Sequence, residues 1–72
     1  MQPLTSDDIV KLIEANPEIE VVQYESLHLN GQIHVELLDS NRQYIIGGAV
    51  LTSQDFSSIQ TQLGGRVRFL PA

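Results

Sequence analysis

Two histidines and a carboxylate are the residues of this chain best suited to chemistry. His28 and His34 bracket the dipeptide Asn30-Gly31, and Glu36 follows two residues after His34. Asn-Gly between two runs of β-forming residues is a strong hairpin signal, so the two imidazoles ride on adjacent strands. Which face each takes depends on the loop. A two-residue loop pairs Leu27 with His34 and His28 with Ile33, which sends the histidines to opposite faces. A three-residue loop pairs His28 with Gln32 and Ser26 with His34, which puts both on one face with Glu36 beyond them. In that register His28, His34 and Glu36 form a set able to hold a metal ion or a small polar ligand. The competing reading is a pair of surface histidines on a wet sheet face.

Other chemistry finds little material. The second register also brings Ser26 near His34, the one serine–histidine proximity the spacing allows, but no G-x-S-x-G elbow accompanies it. Gly47-Gly48 and Gly64-Gly65 match neither a dinucleotide fingerprint nor a P-loop, and read as bulge and turn glycines. With no cysteine the chain has no thiolate nucleophile, disulfide or thiolate metal site. The expectation is therefore a protein without catalytic residues, a resident metal or a cofactor, and not an enzyme.

The charge is unevenly placed. Residues 1–41 carry eight carboxylates against Lys11 alone, a net of -7. Residues 42–72 carry Arg42, Arg66 and Arg68 against Asp55, a net of +2, which together make the -5 of the whole. So few bases argue against nucleic-acid binding, which rests on neutralising phosphates. If the last strand lies beside the first, Arg66 and Arg68 face Glu18, Glu20 or Glu25 across the ladder. The acidity that remains free then centres on Glu25, Glu36 and Asp39.

The elements that position these residues are legible. Leu4-Thr5-Ser6-Asp7-Asp8-Ile9 reads as a helix start. Thr5 is the cap, Asp8 stands at N3 of a capping box, and Leu4 and Ile9 form a hydrophobic staple. Ile9, Leu12 and Ile13, with Val10, make its apolar stripe, and Asn16-Pro17 ends it. Leu51-Thr52-Ser53-Gln54-Asp55-Phe56 repeats the pattern. Phe56, Ile59 and Leu63 form the second stripe, and Gly64-Gly65 stops that helix at a left-handed residue. Between the helices lie three strands. Glu18 to Leu29 alternates imperfectly, which suggests a bulge near Gln23 to Ser26. Ile33, Val35 and Leu37 alternate cleanly with polar neighbours. Gln43 to Leu51 is nearly all apolar, as in a strand covered on both faces, and its Gly47-Gly48 marks a bulge or bend. Arg66 to Leu70 is a short last strand.

The expected fold is thus a single α+β domain over residues 1–72, a two-layer sandwich in the order α-β-β-β-α-β. Two helices cover one face of a four-stranded, mostly antiparallel sheet, and the last strand returns beside the first. Gln23, Glu25, Gln32, His34 and Glu36 are left on the other face. The order of elements superficially resembles that of messenger-RNA-cleaving toxins of the HicA type. Those toxins are basic and carry a Gly-Ser-His segment, whereas the nearest segment here is Glu25-Ser26-Leu27-His28 in an acidic chain, so the chain is not assigned to them.

A chain of 72 residues builds a small core, which favours self-association. No apolar run approaches 18 residues, and the first residues lack the basic and apolar regions of a signal peptide. The expected function is a small acidic, cytoplasmic, non-enzymatic protein-interaction module, with no nucleic-acid or membrane partner. It would homodimerise through a sheet edge or the open sheet face, using Glu25, His34, Glu36 and Asp39. The polar, nearly uncharged outer face of the second helix also suits contact. Such a chain fits an accessory protein of a phage or mobile element. The alternative is a small-ligand or metal-binding domain built on His28, His34 and Glu36.

Overall fold

The Thr5 hydroxyl accepts the Asp8 N–H at 3.2 Å, and the Asp8 carboxylate accepts the Thr5 N–H at 3.0 Å, closing a reciprocal capping box. This box starts α1 (Ser6–Ala15) in the computed structural model of the chain, which describes residues 4–27 and 31–72. Four strands and a second helix follow: β1 (Val21–Ser26), β2 (Gln32–Leu38), β3 (Tyr44–Thr52), α2 (Ser53–Leu63) and β4 (Arg68–Pro71). The order is α-β-β-β-α-β, as the pattern of the sequence requires.

The sheet runs β3-β2-β1-β4. β1, β2 and β3 form an antiparallel meander, and β4 pairs with β1 in parallel after the α2 crossover. Ile9 and Ile13 of α1 and Phe56, Ile59 and Leu63 of α2 pack in one cluster with Val22, Val35, Leu37, Ala49 and Leu51. Phe56 also sits between Tyr24, tilted against it with centroids 5.0 Å apart, and Phe69, edge-on with centroids 5.9 Å apart. Both helices therefore serve the same face of the sheet. Val10 and Leu12 only border this core.

Several local expectations change. β1 pairs with β2 without a break from Val21–Leu38 to Ser26–Ile33, so it carries no bulge. Ile19, one of the residues behind that expectation, lies before the strand with its N–H on the Asn16 carbonyl, where strand parity does not apply. The irregularity sits in β3, opposite Val35 to Leu38, where Gly48 adopts φ +55°. β3 is an edge strand and is not covered on both faces; its Tyr44, Gly47 and Gly48 are exposed. Two bulges rotate its apolar residues and so account for the unbroken run. α2 ends at Gly64 in the right-handed region, not the left-handed one. Its cap also differs from that of α1. The Thr52 hydroxyl accepts the Asp55 N–H and donates to the Asp55 carboxylate, each at 3.1 Å. The residue is shared with β3, which leaves a single-sided cap.

Candidate functional site

The face without helices is built by the side chains whose parity opposes the core. Its register sets rows across the strands, three of which carry the site. Arg68, Val21, Leu38 and Tyr44 form the first. Leu70, Gln23 and Glu36 form the second, which runs into the Gly47-Gly48 bulge. Glu25, His34 and Val50 form the third.

This register is neither of the two that the Asn30-Gly31 signal suggested. The Leu27 N–H bonds the Gln32 carbonyl and Glu25 pairs with His34. Every pairing is shifted from both expectations, because the phase of a strand is set where its partner strand begins. Glu25 thus stands beside His34. Ser26 pairs with Ile33 and takes the opposite face, so no Ser26–His34 dyad forms. His28, and with it the His28–His34–Glu36 set, lies outside the described residues. Among the described residues no three His, Cys, Asp or Glu side chains are grouped to hold a metal ion.

His34 and Glu36 are neighbours on β2, with Nδ1 of the imidazole 3.8 Å from Oε1 of the carboxylate. Their side chains remain 31% and 25% exposed, enough to meet a partner without being free in solvent. Tyr44 stands next in line at 65% exposure, the large apolar side chain left uncovered among the described residues. The Glu36 carboxylate holds the Tyr44 phenol above its ordinary pKa, first by accepting its hydrogen bond and then through its negative charge. Gly48 lies on the other side of His34, and a Cβ there would come 3.5 Å from Nε2. The sequence did not single out Tyr44, Gly48 or Leu70 for this site. Tyr44 and Gly48 were absorbed into an apolar run, and only the bulged register shows which face they take.

Glu25, His34 and Glu36 are therefore brought together, but Asp39 is not among them. Its Oδ1 accepts the N–H groups of Asn41 and Gln43, both at 2.9 Å, so the carboxylate organises the β2–β3 turn. The expected arginine pairs are also replaced. Arg66 precedes β4 and donates to the carbonyls of Ile19, at 2.6 Å, and Pro17, at 3.0 Å. It ties the two helix–strand connections together. Arg68 stands beside Val21 in the ladder, and among the described residues neither arginine meets a carboxylate within 4.0 Å.

Two depressions lie away from this face. A cleft of about 250 Å³ brings Glu20, Ser40, Arg66 and Arg68 together, with the Arg66 guanidinium already engaged. A shallower apolar groove of about 500 Å³ runs along α1 past Leu4, Leu12 and Ala15. No protein family, curated protein or solved structure matches the chain. Among the described residues no helix is long and apolar enough to cross a membrane.

Proposed function

We propose that this chain is a small, acidic, non-enzymatic protein-interaction module that self-associates through its open sheet face. The observation that carries the reading is the one-sided layering. Both helices pack on one face, while the other presents Tyr44, Leu70 and Val50 around the polar group Glu25, His34 and Glu36. An apolar rim with a few oriented polar groups suits a protein surface better than a small-molecule cavity.

The face is favoured over the edges. β4 is four residues long and ends at Pro71, which has no N–H to offer a new strand. β3 is bulged, and its Val50 carbonyl already accepts the Leu4 N–H at 2.9 Å. Bulges, proline and short strands blunt edge pairing. A cytoplasmic setting belongs to the same reading, since the chain has no cysteine to exploit an oxidising compartment.

Sedimentation velocity over a range of concentrations tests it. The wild type should shift from monomer to dimer, and Tyr44→Glu, which puts a charge on the face, should stay monomeric. A wild type that remains monomeric at every concentration would sink the proposal.

A further inference from the structure

We infer that the second copy sits on the open face about a two-fold axis parallel to the strands and lying between β1 and β2. The inference rests on the self-association proposed above and gives it a geometry. In this arrangement β1 of one protomer faces β2 of its partner, and β3 faces β4.

The argument is one of symmetry and register. An isologous dimer that packs face to face needs a two-fold axis in the plane of the interface, and every contact occurs twice. An axis perpendicular to the strands sets each strand on its own copy. Centred on the second row, it puts Glu36 against the partner's Glu36. Centred on the third, it puts Glu25 against the partner's Glu25 and His34 against the partner's His34. An axis parallel to the strands but lying on β1 again opposes the two Glu25 carboxylates. On β2 it opposes the two Glu36 carboxylates. Like charges placed in direct opposition disfavour each of these packings. Centred between the second and third rows, the perpendicular axis opposes His34 to the partner's Glu36 but carries Arg68 past the end of the partner's β4 and sets Tyr44 at the level of the partner's Thr52, away from any cation.

Between β1 and β2 the same rows become complementary. Glu25 faces the partner's His34, and Gln23 faces the partner's Glu36. Arg68 faces the partner's Tyr44, a cation over an exposed ring. Leu70 faces the partner's Gly47-Gly48 bulge, where the missing side chains leave a notch for it. Glu36 keeps its own His34 and Tyr44 neighbours. The polar groups of the two copies then join into two equivalent runs, each from Tyr44 through Glu36 and His34 to the partner's Glu25. Sheets that pack face to face incline by about 30° to each other, and a two-fold axis along the mean strand direction provides this when each sheet leans by half.

The absence of cysteine makes a direct test possible. Arg68→Cys and Tyr44→Cys are prepared as separate proteins, mixed, and treated with a bismaleimide whose reach is about 10 Å, the spacing of packed sheets. The two positions stand on opposite edge strands, so neither variant alone brings its two cysteines together across the axis. The mixture should give a cross-linked heterodimer several-fold more abundant than the product of either variant alone. Gln43→Cys, one residue outside β3, replaces Tyr44→Cys should the latter fail to dimerise in the sedimentation assay. A dimer in which the mixture gains nothing over the single variants overturns the axis and leaves self-association standing. A chain that is monomeric at every concentration overturns both.

Discussion

The two faces of the sheet use the same strands in opposite ways. On the covered face, Val22, Val35, Leu37, Ala49 and Leu51 meet the helices, and no polar or charged residue is buried among the described residues. On the open face the same strands carry Gln23, Glu25, His34 and Glu36, none of them buried. Alternation along a strand delivers both surfaces from one stretch of sequence. Stability and recognition are thereby assigned to different residues, so they should respond separately to mutation. Val21 and Leu38 are the exception. They lie side by side on the open-face parity, yet each is only 2% exposed.

The largest effects should fall on the covered face. Ile59→Ala and Leu37→Ala remove fully buried side chains, and each should lower unfolding free energy by about 2–5 kcal/mol in a denaturant titration. That is a large share of the stability of so small a domain, and Ile59→Val, at about 1 kcal/mol, gives a milder point on the same scale. Gln23→Ala and His34→Ala should stay within about 0.5 kcal/mol while weakening the dimer. Leu38→Ala should behave like a core substitution despite its parity, at about 2 kcal/mol or more. If open-face substitutions cost as much as core ones, the division between the faces fails.

Smaller effects sharpen where the division is made. Gly48→Ala forces an L side chain into φ +55°, which should cost about 1–2 kcal/mol. The Cβ itself meets only His34 Nε2, at an ordinary 3.5 Å, so the penalty is backbone strain. Gly47→Ala, with open space around it, should be milder in the same thermal melt. Thr5→Ala and Thr52→Ala should each cost about 1 kcal/mol, since both remove an N-cap. A double-mutant cycle should find tighter coupling between Thr5 and Asp8, whose bonds are reciprocal, than between Thr52 and Asp55.

What the sequence made legible was whatever a few adjacent residues decide. Leu4-Thr5-Ser6-Asp7-Asp8 and Leu51-Thr52-Ser53-Gln54-Asp55 start helices where their capping chemistry says, because a cap closes within four residues. The element order and the return of β4 beside β1 followed from pattern and handed connections. The candidate site was only partly legible. Placing Glu25 beside His34 required the register in which Leu27 meets Gln32, which Asn30-Gly31 alone did not specify. Tyr44 was hidden because bulges at Gly47-Gly48 and Ile45 shift parity within a run that reads as uniformly apolar. The sequence offered Asp39 to a partner and set Arg66 against carboxylates of the first strand, whereas the fold uses both to hold its own connections.

The gentlest probe is pH, since the core carries no titratable group among the described residues and protons act only on the surface. Asp8 is held below its usual 3.8, first by the Thr5 N–H and then by the Thr5 hydroxyl. A lowered acid pKa contributes stability above the unfolded value and loses it as pH falls through the folded one, so this contribution fades below about 3.8. Tyr44 moves the other way. Its folded pKa is raised above 10.0, so its contribution is complete below that value and is lost as pH rises through the folded one. Absorbance of tyrosinate near the alkaline limit should show a late-titrating phase that disappears in Tyr44→Phe. It should move down toward the ordinary value in Glu36→Gln, because the carboxylate supplies the two largest causes of the shift. A late phase that persists in Tyr44→Phe would remove the evidence that Glu36 holds the phenol on the open face.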